Sequence, residues 1–314
     1  MNKPKFDFED INLIPQKGIV ESRTECDTSV KLGDYIFKMP VIPANMACVI
    51  DIDLAITLAT NGYFYIMHRF DNDLISFVEA TNHLGLPTSI AIGVNEDSYN
   101  LIRNLKILGL TVDYITIDIA HGHSIKMEKM LKWLSMEAPN AFIIAGNVTT
   151  IEAVGELVNW GANCIKVGIG PGSACTTWPT TGFGSRNCQA STILECANYN
   201  IPIIADGGIR CPADIAKSLV LGATMVMVGG MLSGFKDSPG SLININGVLK
   251  KEFWGSASQF QSNKKNRIEG TKLLIDYKDR SILDEMVYLK ECLQSSISYG
   301  GGNNLQSLTS VKYY

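Results

Sequence analysis

CIKVGIGPGSACTTWPTTGFG, residues 164–184, reads as an apolar strand that empties into a glycine-rich loop. The strand-like run covers 164–169, glycines stand at 168, 170, 172, 182 and 184, and Cys175, Thr176 and Thr177 sit inside the loop. Glycine lets the backbone take positive φ and approach a ligand closely. A thiol in such a loop is better placed to react than one packed in a core, where a cysteine behaves as a small inert hydrophobe. Cys175 is therefore the candidate nucleophile.

The same kind of run recurs along the chain. Apolar runs start at Val41 (VIPANM), Tyr63 (YFYIMHR), Thr88 (TSIAIGV), Tyr114 (YITIDIA), Ala141 (AFIIAGNV), Cys164 (CIKVGIG), Pro202 (PIIADGGI) and Thr224 (TMVMVGG), at spacings of 22, 25, 26, 27, 23, 38 and 22 residues. Runs this continuous suit strands covered on both faces, hence a parallel sheet. Between them lie helix-like stretches at 51–60, 124–136 and 151–160; Thr149 and Glu152 suggest a capping box, and Pro212 suits a helix's first turn. Eight β-then-α units predict an α/β fold, a (β/α)8 TIM barrel, over a doubly wound open sheet built from the same alternation. The expectation is a single domain over 1–314. The spacing of 38 marks an enlarged active-site loop after the sixth strand, at about 170–188. A second excursion, 232–280, follows the eighth strand and precedes a final helix at 281–297. Its polar middle, GSASQFQSNKKNRIEG at 255–270, is expected to be a mobile flap.

Composition bounds the function. The chain has 314 residues, 46% hydrophobic and 18% charged, with a net charge of −4, so no basic surface points to nucleic acid. MNKPKFDFED lacks the apolar core of a signal peptide, and the uncharged run 218–235 is broken by four glycines into a helix end and a buried strand rather than a membrane span. Eight scattered cysteines with no CxxC pair read as reduced, mostly buried thiols of a cytoplasmic protein.

The strand ends carry the candidate chemistry. Asp206-Gly207-Gly208 and Gly229-Gly230 end the seventh and eighth runs, where barrels commonly cradle phosphate; a side chain there would block close approach. Asp206 could hold a sugar hydroxyl or cap the next helix. His121 and His123, two residues apart without an acidic partner set, argue weakly for a metal, whereas Asp118 and Gly122 suit a polar cofactor contact. Arg69 could meet a phosphate or carboxylate, or form a surface ion pair.

The run GIGPGSACTT, followed by IIADGGIR, MVMVGGM, FWGSAS and LQSSISYGGG, and preceded by DFEDINLIP and PANM, resembles the IMP dehydrogenase/GMP reductase family over nearly the whole chain. Within it the chain resembles the reductase branch, of the bacterial kind with MHRF after strand two. No room exists between Arg69 and Thr88 for the tandem CBS insertion usual in the dehydrogenase branch, and the flap is shorter. The resemblance implies NADPH-dependent reductive deamination of GMP to IMP and ammonia through a covalent thioimidate on Cys175, with Thr177 and Glu269 protonating the departing ammonia. It further implies that Asp206, Gly207, Gly208, Gly229, Gly230, Gly255, Ser256 and Ser258 hold GMP. Arg69, Asp118, Ala120, His121 and Gly122 would face the cofactor. Carbonyls of Gly170, Gly172 and Cys175 match a monovalent-cation (potassium) site, and family members form homotetramers. Two features depart from the family pattern: Trp178 stands where a basic residue often follows the threonines, and Arg186-Asn187-Cys188 is unfamiliar. The alternatives are oxidation of IMP to XMP with NAD, or a non-catalytic barrel that binds purine nucleotides.

Overall fold

The computed structural model describes residues 5–70, 73–262 and 268–314. An antiparallel hairpin that the apolar pattern did not announce, β1 (Val30–Leu32) and β2 (Tyr35–Phe37), opens the chain. The main sheet then takes β3 (Val41–Pro43), β4 (Ser89–Ile92), β5 (Tyr114–Asp118), β6 (Phe142–Val148), β7 (Cys164–Val167), β8 (Ile203–Asp206) and β9 (Met225–Val228). All pairs are parallel, in the order β3-β9-β8-β7-β6-β5-β4, with helices between successive strands. β3 pairs with β9, so the first and last barrel strands meet and the sheet curls round into a TIM barrel. Nearly every strand residue is buried, which is why these stretches read as unbroken apolar runs rather than alternating ones.

The second expected strand is reduced. Within 63–69 only Met67 joins the sheet, through a parallel bridge to Ile90, although Tyr63, Phe64, Tyr65, Ile66 and Met67 are all buried. Hydrophobicity therefore located the segment, but backbone pairing there is confined to one residue. The helix expected from 151 spans Ile151–Asn159, yet its cap is Thr150 rather than Thr149: the Thr150 hydroxyl accepts from the Ala153 N–H. Pro212 does start its helix, Pro212–Val220. The spacing of 38 is filled by two helices, Thr177–Thr181 and Gln189–Ala197.

The excursion after β9 carries a second sheet on either side of the expected flap. It forms a three-stranded antiparallel sheet, β10 (Leu242–Ile245), β11 (Val248–Trp254) and β12 (Lys272–Asp276), in that order, with a short helix at Gln259–Ser262. Residues 263–267 of the expected flap, including Arg267, lie outside the described residues. The thiols also differ from expectation, because four of the eight are buried while Cys211 is exposed.

An aromatic cluster fills the N-terminal end of the barrel. Phe64 packs at 4.9 Å from both Phe37 and Tyr114, and Tyr114 meets Phe142 at 5.6 Å. The buried Tyr114 hydroxyl donates to the Leu32 carbonyl at 2.6 Å, tying the hairpin across this end. Rings bury large areas and leave large voids when removed. Phe64→Ala should lower unfolding free energy by about 3–5 kcal/mol, read from urea titration; a loss under 1 kcal/mol would show that the cluster does not close the barrel.

Candidate active site

At the C-terminal end of the sheet lies a cavity of about 860 Å³. Its floor is built on one buried lysine. Lys166, the only charge inside the apolar run of β7, has a side chain 2% exposed and places its Nζ 2.9 Å from Asp118 Oδ1 and against Asp206 Oδ2. Asn45 donates to Asp118 Oδ2 at 3.0 Å, and Asn147 donates to Asp206 Oδ2 at 2.8 Å and to the Gly168 carbonyl at 2.6 Å. Gly146 makes the crossing possible, since a Cβ there would fall 2.5 Å from the Lys166 Cβ. The ladder between β6 and β7 shifts register between Gly146 and Val148. Such irregularities re-aim side chains, and here Asn147 turns toward the cavity.

The electrostatics of this triad are mutual. Burial alone would lower the lysine pKa, but Asp118 and Asp206 outweigh it and hold Lys166 above the ordinary amine range. Burial likewise works to raise the Asp118 pKa; the Lys166 charge, then Arg69, and hydrogen bonds from Lys166 and Asn45 bring it below the usual carboxylate range. Lys166 and Asp118 are therefore both charged across neutral pH. Asp118 and Asp206 are the residues expected at the cofactor and the nucleotide; Lys166 was not among the expected site residues, although a lone lysine in a buried strand is a legible signal.

Above this floor stands the predicted nucleophile. The turn before it is closed by the Cys175 N–H donating to the Gly172 carbonyl at 3.0 Å. The flap segment docks on the loop as a strand: Cys175 bridges Gly270 antiparallel, the Thr176 N–H donates to the Glu269 carbonyl, and the Thr271 N–H donates to the Ala174 carbonyl at 2.9 Å. Cys175 Sγ donates to Thr177 Oγ1 at 3.2 Å, and Thr177 Oγ1 donates to Glu269 Oε2 at 2.8 Å. Three predicted residues, two of them 92 positions apart, thus form one hydrogen-bonded relay facing the cavity.

The other predicted residues divide. Asp206, Gly207, Gly208, Gly229, Gly230, Gly255 and Ser256 line the cavity, as do Arg69, Asp118, Ala120, Gly170 and Gly172. Gly207 and Gly208 take φ of 90° and 80°, a left-handed pair that exposes backbone N–H groups. Ser258, His121 and Gly122 are not in the wall. Ser258 is fully buried beneath Gly270, where it braces the flap. Gly122 is needed for packing, because a Cβ would meet the Asn147 carbonyl oxygen at 2.8 Å, and His121 is exposed. His123 pairs with Glu156 at 2.9 Å, and no cluster of three or more metal-ligating His, Cys, Asp or Glu occurs among the described residues.

Lys166→Met should cost about 3–5 kcal/mol by stranding two carboxylates. The sign of its pH response is diagnostic. The wild-type Lys166–Asp118 pair contributes fully above the ordinary carboxylate range and below the ordinary amine range, so its stability contribution is flat between about pH 5 and pH 9. In the variant one carboxyl must take up a proton, so stability rises as pH falls from about 8 to 5. A variant whose urea midpoint keeps the wild-type pH profile would contradict this arrangement.

Comparison with known proteins gives concordant results. A family model described as IMP dehydrogenase / GMP reductase domain matches residues 5–313. The GMP reductases of Bacillus subtilis (strain 168) and Enterococcus faecalis (strain ATCC 700802 / V583) are each 51% identical over 310 residues, 98% of this chain and 95% of theirs. That of Clostridium acetobutylicum is 49% identical over 310 residues, 98% of this chain and 94% of its own. No helix among the described residues is long and apolar enough to cross a membrane.

Proposed function

We infer from its family, the IMP dehydrogenase/GMP reductase family to which this chain belongs across residues 5–313, that it works as a GMP reductase. It converts GMP to IMP and ammonia, using NADPH as reductant. The observation that carries the reading is the Cys175–Thr177–Glu269 relay at the mouth of a cavity floored by Lys166.

The residues present suit both ligands. Gly207, Gly208, Gly229 and Gly230 offer backbone N–H groups to a phosphate, and Asp206 faces the same wall for a sugar hydroxyl. Buried Asn147 Oδ1 finds no hydrogen-bond partner among the described residues, an acceptor that suits a donor on a bound nucleotide or nicotinamide. Arg69, Asp118 and Ala120 line the side of the cavity where the nicotinamide would lie. When bound, NADPH supplies the hydride that ends up on C2 of the purine.

Cys175 attacks C2 as the thiolate, forming a C–S bond while the bond from C2 to the amino nitrogen breaks. Thr177 Oγ1 and the Glu269 carboxyl move a proton to that nitrogen, so that ammonia leaves as a neutral group. The C–S bond breaks again once C2 is reduced, returning Cys175 and releasing IMP. The chain's other contribution is positional: Lys166 fixes Asp118 and Asp206, and the docked flap keeps water from the thioimidate. The carbonyls of Gly170, Gly172 and Cys175 would offer potassium an oxygen-only donor set, with one lone pair of Gly172 already spent on the Cys175 N–H. The barrel, the loop over 170–188 and the flap over 255–270 act as one catalytic unit, in a cytoplasmic enzyme that assembles as a homotetramer.

Absorbance of reduced nicotinamide should fall on mixing protein, GMP and NADPH, and stay constant with Cys175→Ala. Thr177→Ala and Glu269→Gln should each slow turnover by roughly 10²–10⁴-fold, the usual worth of positioned proton transfer. Rapid NADH formation from IMP and NAD⁺, with no GMP reduction, would instead assign the dehydrogenase reaction.

A further inference from the structure

Among the described residues, four cations line the cavity: Arg69, Lys166, Arg186 and Arg210. Lys166 is held by Asp118 and Asp206, and Arg210 lies 3.0 Å from Glu9 and 3.8 Å from Asp214. Arg69 adds its charge to Asp118 and stacks on Phe70 at 4.7 Å. Arg186 forms no ion pair with a carboxylate among the described residues; its guanidinium instead lies 5.4 Å from the centre of the Trp178 ring. Such stacking holds a guanidinium in place and leaves its N–H fork available for another ligand.

The surrounding chain fixes where that fork stands. Trp178 packs against Gly170 at the start of the helix Thr177–Thr181, one residue after the relay threonine. On the other side, the Ser185 N–H donates to the Ile169 carbonyl at 2.8 Å, and Ser185 Oγ donates to Gln189 Oε1 at 2.6 Å. Gln189 Nε2 donates to the Val167 carbonyl at 2.9 Å, and a Cβ on Gly208 would touch its Cγ at 3.5 Å. Asn187 completes the turn at a φ of 62°, a left-handed conformation asparagine tolerates. The turn over 185–189 is thereby clamped beside the Gly207–Gly208 cradle, with Arg186 on its cavity side.

We propose that Arg186, steadied by Trp178, is a specificity-determining residue that binds the 5′-phosphate of the purine nucleotide. The inference rests on the nucleotide reading of the cavity. The two departures from the family pattern become one device: position 178 gives up a basic side chain for an indole, and the guanidinium of Arg186 returns a cation to that ring. A planar fork suits a phosphate monoester, whose dianion forms above a second pKa of about 6.

Calorimetric titration of wild type, Arg186→Gln, Arg186→Lys and Trp178→Ala with GMP, guanosine and NADPH tests this. Arg186→Gln should weaken GMP binding roughly tenfold or more and leave guanosine affinity unchanged. Arg186→Lys should fall between it and wild type, and Trp178→Ala should lose several-fold. The gain in GMP affinity from pH 5.5 to 7.5, as the phosphate becomes dianionic, should shrink in Arg186→Gln. GMP affinity within twofold of wild type, equal losses for GMP and guanosine, or a loss confined to NADPH would each overturn the assignment. A wild type that binds GMP but never oxidises NADPH would sink the reductase reading alone, because the GMP-to-guanosine ratio still decides Arg186.

Discussion

The ammonium of Lys166, held between the carboxylates of Asp118 and Asp206, is the constraint on which the site depends. Each charge would be costly to bury alone; the ammonium is tolerable between the two carboxylates, and each carboxylate because the ammonium faces it. The triad ties the ends of β5, β7 and β8, and Asn147 joins from the bulge in β6, which lies between β5 and β7. The strand ends cannot shift independently without breaking an ion pair in a poorly solvated place. That rigidity is what a site needs if a thiol, a purine carbon and a hydride donor must meet within tenths of an ångström.

Glycine at two positions makes the floor possible. Gly146 leaves room for the lysine stem, and Gly168, at a φ of 143°, passes so close to β8 that a Cβ would fall 2.0 Å from the Asp206 carbonyl oxygen. Both allow backbone and side chain to cross where any other residue would push the strands apart.

The flap shows how a polar segment acquires a defined place. Its composition suggests only an exposed, adaptable loop, yet residues 268–271 dock against 174–176 through backbone hydrogen bonds, and Ser258 is buried under Gly270. The Cys48 thiol, which accepts from the Trp254 N–H at 3.3 Å, anchors β11 next to the loop after β3. Glu269 thus reaches Thr177 through strand pairing, an interaction carried by main-chain groups common to every residue type.

Residue pattern alone determined the barrel, the loop bearing Cys175 and the glycine cradles. Burial on both faces of a parallel sheet forces continuous apolar runs, and close backbone approach forces glycine, so both leave marks in one dimension. The pattern overstated the second strand, where Tyr63–Met67 hydrophobicity records burial but not pairing, and it carries no sign that Gly122 packs against Asn147 or Ser258 against Gly270. Only the tertiary structure decided which polar groups meet. Lys166 finds Asp118 and Asp206, Thr177 finds Glu269 and Arg186 finds Trp178 because strand register and loop docking bring distant positions together, and pairwise contact between side chains far apart in the chain has no periodicity to betray it.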